Sequence, residues 1–119
     1  MDLHTTDPEF TERFEYFAFR EVPNEKNQQL PEKIRYTAVL AALIGCGGED
    51  VYRQMLPTAL EGGITPVAVK EIVYQATAYL GYGRMLPFLK CTNEIFEEKE
   101  IFLPLDGQAT ASLENRLEK

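Results

Sequence analysis

The amino-acid sequence predicts an all-α protein, a compact helical bundle of five to six helices. Three observations carry this. Apolar residues recur at three- and four-residue spacing in five segments. Proline and glycine punctuate the chain where such helices would begin and end. No segment shows the sustained apolar/polar alternation of a half-buried strand.

The first helix opens at Asp7-Pro8, a capping residue followed by proline at the first helical position. Phe10, Phe14 and Phe17 then share one face, and the helix ends near Val22-Pro23, because the residue before proline disfavours helix. Residues 23–30 are polar and read as a loop. The second helix runs from Pro31 to about Gly45. Its second half, Ala38 to Ile44, is apolar almost all round, which predicts a central, buried helix. Gly45, Gly47 and Gly48 break it. The third starts at Glu49-Asp50, where acidic side chains complement the positive end of the helix dipole. Pro57 lies inside it and is expected to kink it, and Gly62-Gly63 ends it. Thr65-Pro66 caps the fourth helix, whose stripe is Val69, Ile72, Val73, Ala76 and Leu80. A turn at Gly81 to Gly83 leads to the fifth helix, from about Arg84 to Glu100, with Pro87 in its first turn. After Phe102 periodicity fades. Residues 103–119 read as an extended C-terminal arm or linker, in which Leu113 to Lys119 can begin a further short helix.

Composition narrows the function classes. A 119-residue chain with 45% apolar residues suits one globular domain, residues 1–102. A net charge of −7 with scattered Lys and Arg argues against nucleic acid, whose phosphates need clustered basic groups. No apolar run reaches the roughly 20 residues of a membrane span, and the N-terminus lacks a signal-peptide pattern, so the cytoplasm is the expected compartment. The run Glu94, Glu97, Glu98 and Glu100 reads as a solvated helix face.

Residues for self-contained catalysis are scarce. His4 is the single histidine, in a segment expected to fray, so neither a Ser-His-Asp set nor a nearby Cys-His pair is expected. No histidine spacing suits a metal, and neither a metal nor another cofactor is expected. Cys46 and Cys91 form no Cys-x-x-Cys motif, and both are expected to be ordinary buried thiols. The turn Gly45-Cys46-Gly47-Gly48 can be read as an anion-holding helix N-terminus. The reading favoured is a tight interhelical turn, because the acidic Glu49 and Asp50 follow and would raise a thiol's pKa. Arg35, Tyr36, Tyr52, Arg53, Tyr74, Tyr79, Tyr82 and Arg84 are the remaining polar candidates, able in principle to line a pocket for a small acidic ligand.

Two motifs add a resemblance. One is the step Ala59-Leu60-Glu61-Gly62-Gly63-Ile64-Thr65-Pro66, and the other is the turn Ala78-Tyr79-Leu80-Gly81-Tyr82. With Ala41-Ala42-Leu43-Ile44-Gly45 before them, the stretch from Leu30 to Phe96 resembles the carboxymuconolactone decarboxylase family, which includes alkylhydroperoxidase D-like proteins. The resemblance implies an alkylhydroperoxidase D-like bundle assembled as a trimer or hexamer, with either lactone-acid decarboxylation or thiol-dependent peroxide reduction as its activity. The redox members carry a Glu on the buried helix and Cys-x-x-Cys-x-x-x-His on the next. Those positions correspond here to Tyr36, Gly48, Val51 and Met55, and none matches. The tail from Leu103 to Lys119 resembles the linker of members with two such domains, so pairing with a second family domain is the alternative to a homo-oligomer. The expected role is therefore a degenerate or partner-dependent domain. The alternative is an enzyme using a different residue set, with Cys46, Arg53, Tyr36 and Tyr79 as the candidates.

Overall fold

The structure is a computed structural model and describes residues 2–109. It contains six α-helices and, among the described residues, no strand: α1 (Leu3–Thr6), α2 (Pro8–Tyr16), α3 (Glu32–Cys46), α4 (Glu49–Glu61), α5 (Pro66–Leu80) and α6 (Tyr82–Glu98). The chain divides into two units, one up to Leu30 and one from Pro31 onward.

In the first unit the Asp2 carboxylate caps α1 by accepting from the His4 amide. His4 reaches across to Glu15, with Nε2 and Oε2 3.0 Å apart, so the segment expected to fray is pinned to α2. Asp7 precedes Pro8 as expected, yet its side chain makes no capping bond and instead accepts from Thr6 Oγ1 at 2.7 Å. Beyond Tyr16 the helix widens to a π turn over Phe17–Glu21 and tightens to a 3₁₀ turn over Val22–Asn24, which ends at Glu25 in extended conformation. Phe10, Phe14 and Phe17 share a face as predicted, but all three are exposed, and only Thr11 is buried in this unit.

The second unit is a four-helix arrangement in which α3 packs on α4 and α5, and α6 closes the ring against the same two. Tyr52, Leu56, Leu40, Ile44, Val69, Val73 and Phe96 fill its centre. Tyr52 and Phe88 meet edge to face, 5.3 Å between centroids at 89°. Two features confirm the turn chemistry. Gly47 adopts a left-handed φ of 76° and ends α3, with the Gly48 amide donating to Leu43 O at 2.8 Å. Thr65 Oγ1 accepts from the Ala68 amide at the start of α5.

Three expectations are corrected. Helix α3 buries only Tyr36, Leu40 and Ile44, while Ile34, Ala38, Ala41, Ala42 and Gly45 are exposed. An all-round apolar helix has more than one face to bury, and the bundle covers one. The turn before α6 is a single residue, Gly81 with φ of 87°, so α6 begins at Tyr82 and Pro87 lies in its interior. Cys46 is exposed while Cys91 is buried, because Cys46 is the last residue of α3 and the following glycines carry no side chain to cover it. Helix α4 runs on through Pro57.

The first part of the C-terminal segment packs on the bundle. Leu105 joins the core, and its amide donates to Gln108 Oε1 at 2.7 Å. Gln108 Nε2 donates to the Tyr74 hydroxyl on α5 at 3.2 Å. The short helix expected from Leu113 to Lys119 lies outside the described residues.

Candidate functional site

Two adjoining grooves open where the C-terminal end of α3 and the start of α4 meet α6. Glu49 and Pro87 border both. The first, about 460 Å³, is walled by Ile44, Leu80 and Phe88 and carries Cys46 and Arg84 as its functional groups. The second, about 420 Å³, carries Arg53, Lys90, Cys91 and Glu94.

The local sequence explains the first groove. Gly47 and Gly48 turn the chain so sharply that Cys46 stays at the rim, its Sγ 3.7 Å from the Leu43 carbonyl. Arg84 sits in the first turn of α6, delivered there by the one-residue break at Gly81. In the second groove Arg53 Nη2 lies 3.0 Å from Glu94 Oε2, an exposed ion pair joining α4 to α6. The Cys91 thiol is held above its ordinary pKa, chiefly by burial and further by Glu49, Glu94 and Glu98, against the opposing pull of Arg53. It is therefore a protonated, poorly nucleophilic thiol at neutral pH.

The sequence candidates do not converge. Cys46 and Arg53 line different grooves, and Arg53 shares its groove with the other cysteine. Tyr36 lies near the opposite end of α3 from Cys46, ten residues or about 15 Å of helix away. Its ring is buried against Gly62 and stacked by the Arg35 guanidinium 4.5 Å from the centroid. Tyr79 is 89% exposed on α5 and borders neither groove. Tyr52, a polar candidate from sequence, belongs to the core. Its hydroxyl and Thr92 Oγ1 are 2.6 Å apart, and Thr92 donates its own proton to Phe88 O at 2.7 Å, so Tyr52 is the donor of the pair. Burial pushes its pKa up to about 12.

One residue escaped the sequence reading. Lys70 is only 5% exposed, on the stripe that includes Val73, and its ammonium donates to Asn93 Oδ1. Among the described residues no carboxylate lies within ion-pair reach of it, and burial lowers its pKa. Its signal in the sequence was a lysine one turn after Pro66 and three before Val73, within the apolar stripe. Among the described residues no group of His, Cys, Asp and Glu could hold a metal ion, and no helix is long and apolar enough to cross a membrane.

No curated protein and no solved structure matches the chain. A family model described as the carboxymuconolactone decarboxylase family matches residues 8–94, which include α2 through most of α6 and both grooves' principal side chains. That match covers well over half of the 119 residues and agrees with the all-α bundle, so the chain belongs to the carboxymuconolactone decarboxylase family.

Proposed function

We propose that this chain is a degenerate, partner-dependent domain of its family, working as a homo-oligomer or beside a second family domain rather than as a self-contained redox enzyme. The observation that carries the reading is the separation of the two thiols. Exposed Cys46 and buried Cys91 border different grooves, and the positions that the resemblance assigns to Cys-x-x-Cys-x-x-x-His hold Gly48, Val51 and Met55. A dithiol relay needs two sulfurs able to join, one of them reactive. Cys91 is poorly suited to the second part because burial keeps it protonated.

A second reading is favoured by one feature, the meeting of Cys46 and Arg84 in an apolar-walled groove. A small acidic substrate could place its carboxylate on Arg84 and its reacting atom near the thiol. In this reading Arg53, Tyr36 and Tyr79 are not part of the reacting set. Turnover of an organic hydroperoxide with a dithiol reductant, and of a lactone acid, distinguishes the two. The degenerate reading expects rates equal to buffer for the wild type and for Cys46→Ser alike. A rate above buffer that disappears in Cys46→Ser or Arg84→Ala overturns it in favour of the second.

A further inference from the structure

Lys70 is a buried amine that borders neither groove. It lies on α5, and its ammonium donates to Asn93 Oδ1 on α6. Among the described residues no carboxylate pairs with it. A neutral acceptor does not offset the desolvation of an ammonium. Burial therefore favours the uncharged amine, which is the nucleophilic form.

The segment after α6 crosses the level of this amine. Lys70 and Asn93 stand at matching distances on either side of Gly81, so their bond sets α5 and α6 antiparallel and level with one another. Helix α6 ends at Glu98, beyond Asn93 and away from Gly81. The chain then returns to Tyr74, one turn nearer Gly81 than Lys70 and on the same face of α5. From the level of Glu98 to that of Tyr74 is about 14 Å along the helix axes, and Lys70 lies between. The segment makes this passage against the bundle: Leu105 belongs to the core, Ile101 and Leu103 pack on it, and Gln108 is buried. A latch holds its far end. Gln108 Oε1 accepts from the Leu105 amide, and Nε2 donates to the Tyr74 hydroxyl.

We propose that residues 101–108 form a strap across Lys70, and that lifting the strap opens Lys70 as a covalent site for a small carbonyl compound. The Lys70 nitrogen adds to the carbonyl carbon, and the carbonyl oxygen takes up a proton. That oxygen then leaves as water while the C=N bond forms. One amine and one carbonyl give one imine and one water, with no change of oxidation state and no further reactant.

The test is reductive trapping on the full chain with glyoxylate and cyanoborohydride, which delivers hydride to the imine carbon and fixes the adduct. Peptide mass mapping then gives a labelling rate for each lysine. Wild type, Gln108→Ala and Tyr74→Phe are compared, with the exposed Lys26 and Lys90 as internal references. In the wild type Lys70 is expected to label more slowly than both references. Each variant removes the latch and is expected to raise Lys70 labelling roughly five- to tenfold, about what one net hydrogen bond contributes to an opening equilibrium, and to carry it past the references. Tyr74→Phe keeps the ring, so it reports on the latch even where Gln108→Ala loosens the turn around Leu105. Wild-type labelling of Lys70 at the reference rate, or labelling that neither variant moves, overturns the strap. A rise that stops at the reference rate makes Lys70 an ordinary lysine once uncovered and overturns the covalent site. A rise of all three lysines together makes the segment part of the global fold and overturns the proposal as a whole.

Discussion

The two units of this protein use the same helical grammar to different ends. Residues 8–17 place Phe at positions 10, 14 and 17, and residues 85–96 place Met85, Phe88, Cys91, Thr92, Ile95 and Phe96 at equivalent spacing. The second set is buried and the first is exposed. The difference teaches that spacing creates a face, while burial needs a complementary face to meet it. α6 finds that face on α4 and α5. The first unit is held by polar contacts, the exposed pair of His4 and Glu15, which is individually weak in water, and the partly buried bond from Thr11 Oγ1 to Leu3 O at 3.4 Å.

The contrast is sharpest for the two phenylalanines. Phe88→Ala should cost about 3–5 kcal/mol in the main cooperative transition, followed by urea unfolding, because a 3% exposed ring touching Tyr52 leaves a cavity. Phe14→Ala should change the same transition by less than about 0.5 kcal/mol, as expected of a surface position. Equal costs would break the comparison.

Gly62→Ala tests packing inside the second unit. A Cβ there would lie 2.3 Å from Cε2 of Tyr36, whose buried ring has little room to swing. The expected cost is about 1–3 kcal/mol, and Tyr36→Leu in the same background should recover part of it.

The buried hydroxyl pair gives an asymmetric prediction. Tyr52→Phe removes a donor but leaves Thr92 bonded to Phe88 O, so about 1 kcal/mol is expected. Thr92→Val strands the Tyr52 hydroxyl in the core and should cost about 1–3 kcal/mol, the larger loss. The reverse order in thermal unfolding would mean that Tyr52 accepts the bond.

The smallest effect belongs to His4. Hydrogen bonding to Glu15, then to Asp2, raises its pKa above 6.5. A raised folded-state pKa stabilises the first unit fully below about 6.5, and that contribution is lost as pH rises through the folded value. Because His4 is exposed, added salt should flatten the dependence. Chemical shifts of residues 3–16 followed across this window should move in the wild type and stay flat in His4→Gln.

Much of the fold was legible because it is local. Asp7-Pro8, Thr65-Pro66, Gly47 and Gly62-Gly63 set helix ends through backbone chemistry that a neighbour cannot override, and the family motifs around Ala59 to Pro66 and Ala78 to Tyr82 pointed to the fold that the family match supports. Pro87 was misplaced because the helix start depended on a one-residue turn at Gly81. The candidate site was legible only as a set of residue types. Arg84 and Cys46 are far apart in sequence, and nothing in their spacing sets them in one groove or Arg53 beside Cys91 in another.

What the sequence by itself determined is the helical periodicity, the positions of most breaks and the lack of a Cys-x-x-Cys and an adjacent histidine, since each depends on residues within a few positions of one another. The tertiary structure alone decided which apolar faces are covered, that Lys70 is buried against Asn93, and that the two thiols look into separate grooves. Those outcomes depend on which helices meet and at what height. That is fixed by the summed packing of α3 to α6, and no single segment encodes it.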